Sequence, residues 1–160
     1  FAWGLTRDPA ELPSTMIDRE MPDFALTRLT PEREALTKQD LIGKVSLVNV
    51  FGSWCSSCIL EHPQLEAIAA SKLVALYGVD WRDPPGAGAA WLMRYGDPYL
   101  KTGVDGDSRL AIDLGVTGAP ETFLVDREGR IRFKQVGPIT PELWADTILP
   151  LIRKLEAEPA

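Results

Sequence analysis

Val48-Asn49-Val50-Phe51-Gly52-Ser53-Trp54-Cys55-Ser56-Ser57-Cys58 is the stretch whose reading decides the fold. A β-rich apolar run ends in small residues, and two cysteines follow with two residues between them. These are the only thiols in the chain. After Cys58 the apolar residues Ile59, Leu60, Leu65, Ile68 and Ala69 recur at helical spacing. Cys55 is therefore expected where a strand passes into a helix, at the helix N-terminus. Unpaired N–H groups and the partial positive charge there favour a thiolate, the nucleophilic form of the side chain. A dipole worth roughly 1 kcal/mol amounts to less than one pKa unit, so the neighbours must set the rest. Cys58 lies three residues on and faces the same side, placed to attack a mixed disulfide on Cys55.

Other readings of the pair compete. A structural disulfide closing so short a loop would stabilise little. A zinc site needs about four ligands, and the chain offers two Cys and one His, His62, without a second Cys/His pair. Two inert buried thiols are a further possibility. The redox reading requires a βαβ pattern around the motif.

Working outward, the 160 residues suit one domain with a substantial core, and 45% hydrophobic with 25% charged residues is a globular balance. A net charge of −6 disfavours nucleic acid and anionic membrane surfaces as general partners. No apolar run is long enough to span a bilayer. The chain opens on Phe1 rather than Met, so a signal or anchor segment is expected to have preceded it.

Residues 1–21, with Pro9 and Pro13 and mixed charges, read as an irregular N-terminal arm, and 22–160 as the domain. Within the domain, Pro22–Leu29 looks like a short strand and Val45–Phe51 a central one buried on both faces. The reactive helix follows from about Cys55 to Ala70, with Pro63 inside it. Leu73–Asp80 is a strand, Ala87–Tyr95 a helix, Thr102–Asp105 a strand, and Asp107–Leu114 a helix capped by Asp107 or Ser108. Glu121–Asp126 and Arg130–Val136 form a hairpin around Gly129. Thr140-Pro141 opens a last helix, expected to kink near Pro150. The pattern is α/β, with parallel strands first, an antiparallel hairpin at the edge, and helices on both faces of a mixed sheet.

Two motifs, Asn49–Cys58 and Gly115-Val116-Thr117-Gly118-Ala119-Pro120-Glu121-Thr122-Phe123, resemble thioredoxin-fold proteins. More narrowly they are similar to the thiol–disulfide oxidoreductases of cytochrome c maturation, the CcmG/DsbE group. The Pro22-Asp23-Phe24 opening, Gly78–Asp83 and an insert over about 84–103 fit the same group. The resemblance implies a thioredoxin-like fold with an N-terminal β extension and a central insert. It implies that Cys55 attacks, Cys58 resolves, and Pro120 is a cis proline facing the disulfide. Ala119 would then pair with an extended substrate strand, and Trp54 would form a rim for the partner. Glu61 and Glu121 would be acids near the cysteines, raising the thiol pKa and exchanging protons. Asn49 stands where thioredoxin has a buried Asp, which moves the base role to Glu61 or Glu121. Ser57 stands where many relatives have Pro.

The function implied is reduction of a disulfide in apocytochrome c or a heme-ligation partner, with electrons from a membrane thiol donor. No cofactor is expected beyond the redox-active disulfide. The protein would be periplasmic, anchored to the inner membrane by a preceding segment, and monomeric. A generic thiol oxidase and a copper-holding module using His62 and the two thiols are the alternatives.

Overall fold

The computed structural model describes residues 15–159. The expected arm therefore lies largely outside the described residues. Its described end is tied to the domain: Asp18 donates to Ile131 O and Met21 to Gly129 O, and the Met21 side chain is buried.

Six strands form one mixed sheet: β1 (Thr27–Arg28), β2 (Ser46–Phe51), β3 (Ala75–Trp81), β4 (Lys101–Asp105), β5 (Glu121–Val125) and β6 (Ile131–Val136), in the order β1-β4-β3-β2-β5-β6. β2, β3 and β4 are parallel, joined by crossovers through α1 (Ser56–Ser71) and α2 (Ala87–Tyr95). β5 runs antiparallel to β2, and β6 to β5. Every residue of β2 and β5 is buried, the mostly apolar residues as expected of strands covered on both faces and the polar Ser46, Asn49, Glu121 and Thr122 with them.

The expected N-terminal strand shrinks to two residues, paired antiparallel with β4, plus an isolated bridge between Ala25 and Thr37. Pro22 supplies no donor, and the ladder starts only beyond it. The expected cap of α3 (Arg109–Leu114) is met only in part. Ser108 is left-handed, with φ 60°, and makes no side-chain cap. Asp107 accepts from Arg109 N, the first N–H of the helix, as expected, and the carboxylate of Asp105, at the end of β4, accepts from Leu110 N and Ala111 N. In place of a simple kink, the last helical run passes from α4 (Pro141–Leu143) through a π-helical turn (Trp144–Ile148) into α5 (Leu149–Ala157). Pro150 donates no N–H and crowds the preceding turn, and one wider turn accommodates it.

Alternation along the strands splits the core. Leu47, Phe51 and Leu76 face Cys58, Leu65 and Ile68 of α1, with Trp91 of α2 and Ile152 and Leu155 of α5. Val48, Val50, Tyr77, Val79 and Phe123 face Leu110 and Leu114 of α3, together with Leu36 and Leu41. Helices thus cover both faces, and the C-terminal ends of β2 and β3 open toward the loop that carries Cys55.

Candidate active site

Cys55 is the N-cap of α1 and is disulfide-bonded to Cys58, with the Cα atoms 5.3 Å apart. Cys58 N donates to Cys55 Sγ over 3.1 Å. After reduction the same N–H would face the Cys55 sulfur, and a helix N-terminus favours the thiolate form. Cys55 keeps 4% of its surface and Cys58 2%, so an incoming thiolate has only a narrow window onto the bond.

The window is framed by Trp54, which is 47% exposed. Its indole folds back over Gly52, where any Cβ would collide with the ring, and Nε1 donates to Trp81 O over 2.9 Å. The Trp54 and Trp81 rings meet edge-on, and the Arg82 guanidinium lies over both. Ser53 is held by Asp83: its N–H and Oγ donate to the carboxylate at 2.9 and 2.6 Å. The Ala119–Pro120 peptide is cis. Pro120 is buried and Ala119 half-buried, just ahead of the β5 ladder that begins at Glu121.

Glu61 lies one helical turn beyond Cys58, on the same face of α1. It is 1% exposed, and its two oxygens accept from Asn49 Nδ2 at 2.9 Å and Ile139 N at 2.6 Å. Burial pushes its pKa up to about 7, while the two donors pull the other way. Asn49 also donates to Thr122 Oγ1 and accepts from Tyr99 Oη. The amide that replaces thioredoxin's acid thus holds the acid that lies on α1.

Glu121 is fully buried, and burial raises its pKa too. Its Oε1 accepts weakly from Thr117 Oγ1 and lies 3.6 Å from Lys134 Nζ, while Oε2 has no partner. Asn49 pairs with Thr122, and Val50 with Glu121. Side chains alternate along a strand, so Glu121 points to the face opposite the one where Asn49 meets Glu61. The resemblance put both acids near the cysteines; the structure places Glu61 one turn from Cys58 on one face of the sheet and Glu121 on the other face.

His62 turns away from the sulfurs. Its Nε2 is 2.8 Å from Gly96 O, and its ring meets Trp91 edge-on. Among the described residues no group of three or more His, Cys, Asp or Glu side chains could hold a metal ion. Sequence reasoning missed Tyr99, Lys134, Asp80 and Asp83. The two aspartates stood inside a quoted motif, but nothing in their spacing announced that the chain folds Asp83 back onto Ser53.

The comparisons agree with this geometry. Residues 17–149 match the Redoxin family model. The chain is 46% identical to the thiol:disulfide interchange protein DsbE of Allochromatium vinosum, over 96% of this chain and 85% of that protein. It is 44% identical to DsbE of Pseudomonas aeruginosa over 98% and 86%, and 36% identical to that of Escherichia coli K12 over 99% and 88%. Among solved structures, a secreted thiol-disulfide isomerase from Corynebacterium glutamicum superposes with a TM-score of 0.74 at 22% identity, covering 92% of this chain and 96% of that one. The thioredoxin domain of a thiol-disulfide oxidoreductase from Bacteroides vulgatus gives 0.72 at 20%, covering 89% and 99%, so the fold is thioredoxin-like. The chain belongs to the Redoxin family, within its DsbE (CcmG) group, and is a thiol–disulfide oxidoreductase working through Cys55 and Cys58.

Proposed function

We propose that this oxidoreductase works as a periplasmic reductant in cytochrome c biogenesis. The observation that carries the reading is Glu61, buried one turn from Cys58 with its pKa pushed up to about 7. Near neutral pH such a group takes up and releases protons readily. When charged it disfavours the neighbouring thiolate, which destabilises the dithiol relative to the disulfide and makes the reduced protein an electron donor.

The steps balance as follows. The Cys55 thiolate attacks one sulfur of a partner's disulfide, and the partner's other sulfur leaves as a thiolate and takes up a proton. Cys58 passes its proton to Glu61 and attacks Cys55 Sγ, breaking the mixed disulfide. The second partner sulfur leaves and is protonated. Two electrons pass to the partner, with one proton relayed from Cys58 through Glu61 and one taken from solvent, and Cys55–Cys58 is left oxidised. A membrane thiol donor would reduce it again.

The partner proposed is apocytochrome c or a heme-ligation protein, whose Cys-x-x-Cys-His thiols must be reduced to take heme. Ala119 would offer its backbone to that extended segment, and Trp54 would cover it. The printed names of the relatives support thiol:disulfide interchange; the cytochrome role, anchoring by a preceding segment and a monomeric state are part of the proposal. Among the described residues no helix is long and apolar enough to cross a membrane.

The test is single-turnover reduction of an oxidised Cys-x-x-Cys-His peptide by the reduced protein. The reading predicts reduction well above that of a scrambled disulfide peptide. Equal rates, or net oxidation of the reduced peptide by the oxidised protein, would contradict it.

A further inference from the structure

Asp80 ends the inner face of β3 and takes no part in the exchange described above. It is 3% exposed, and its Oδ1 is buried without a hydrogen-bond partner. α2 leaves room for it only because residue 88 is glycine: a Cβ there would occupy the space of the Asp80 carboxyl. Its neighbours across the sheet, Phe51 on β2 and Val104 on β4, are apolar. The titratable and charged groups that bear on it are few. Asp83 and Arg82 follow it on its own chain, and Tyr99 interacts with it from beyond α2. The guanidinium of Arg82 is engaged over the Trp54 and Trp81 rings.

Asp83, by contrast, is half-buried and accepts from Ser53 N and Ser53 Oγ. Three contacts from these two donors fix the position of its carboxyl group. Its side chain also bears directly on the Asp80 carboxyl. Two carboxylates cannot share such a contact without a proton between them, and the orphaned, buried member is the one that must carry it.

We infer that Asp80, as a neutral acid, and Asp83 form a proton-sharing pair that positions the Ser53-Trp54-Cys55 turn for attack on the disulfide. Ionising Asp80 sets two like charges against each other. Asp83 is the more exposed, so it moves, and the bonds to Ser53, two residues from Cys55, are released. Burial and the neighbouring Asp83 raise the Asp80 pKa to about 8, which puts this release on the alkaline side of neutrality. The pair acts through Ser53 and touches neither sulfur, so both residues are positioning residues. The inference rests on Cys55/Cys58 exchange but not on its direction, and it survives if the reductant reading fails.

Asp80→Asn keeps a neutral donor toward Asp83 and removes the titration. The Ser53 amide resonance and the Asp80 carboxyl carbon are followed from about pH 6 to about pH 9.5 in the oxidised protein. In parallel, reduction by a small dithiol is timed for wild type and variant. Dividing the two rates at each pH cancels the ionisation of the dithiol itself. The Ser53 amide should titrate together with Asp80 in the wild type and stay flat in the variant. The rate ratio should be level below about pH 7 and fall with the same midpoint. An Asp80 carbon that titrates in the ordinary carboxylate range overturns the inference using the wild type alone. So does a Ser53 titration that persists in Asp80→Asn, or a rate ratio independent of pH.

Discussion

At the scale of single residues, the site separates the two tasks of thiol exchange. Cys55 takes its reactivity from the end of α1, and Cys58 has an acid one turn away. Glu61→Gln should leave the first attack by Cys55 intact and slow resolution by Cys58 at neutral pH by about 100-fold, the low end of what a positioned base contributes. Mass spectrometry of quenched reactions would show the mixed disulfide accumulating; resolution at the wild-type rate would remove Glu61 from the proton path. Glu121→Gln should lower the Cys55 thiol pKa, read from the pH dependence of its alkylation. An unchanged or higher value would mean that Lys134 already neutralises Glu121 on its side of the sheet. The cysteines, Trp54, Pro120 and Glu121 could be singled out in the sequence because they sit inside motifs, and Glu61 because it follows the first motif by one helical turn. Tyr99 and Lys134 could not, because their contacts with Asn49 and Glu121 span long stretches of chain that only the folded sheet brings together.

At the scale of elements, the strand–helix junction at Cys55 and the hairpin around Gly129 were legible, because alternation, helical spacing and turn residues all agree there. α2 falls over Ala87–Tyr95 as its pattern indicates. The misreadings came where a distant group supplies what a local one was expected to supply. Of the two caps expected for α3, Asp107 takes one N–H and Ser108 none, while Asp105 reaches forward from β4 to two more. Asp105→Ala should therefore destabilise the fold by roughly 2 kcal/mol in urea denaturation, the upper range for a lost cap. Asp107→Ala should cost a few tenths of that. Equal losses would restore the local cap. The π-helical turn before Pro150 has a similar origin: the sequence shows the proline, but whether a helix breaks, kinks or widens depends on how Ile148 and Ile152 must meet the core.

For the whole molecule, buried acids link folding to protons. Burial raises the Glu61 and Asp80 pKa values to about 7 and about 8 in the folded protein, from ordinary carboxyl values of 4.5 and 3.8. Between those limits the folded state holds protons that the unfolded state has released. Each group's contribution is thus fully present below its unfolded pKa and is lost as pH rises through its folded pKa. For Glu61 the shift corresponds to about 3 kcal/mol, as an order of magnitude. Glu61→Gln should flatten the decline in stability between about pH 5 and about pH 8, measured by urea denaturation of the oxidised protein; an unchanged slope would show that Glu61 is charged throughout.

On the proposed reading the same burial sets the direction of electron flow, and the reduction potential of the Cys55/Cys58 pair tests that reading most directly. Trp54 adjoins Cys55, so its fluorescence in defined redox buffers should report the disulfide. The account predicts a potential below the roughly −180 mV of protein disulfide isomerase at neutral pH, rising toward oxidising values in Glu61→Gln. A wild-type value near the roughly −120 mV of a dedicated oxidant would contradict it.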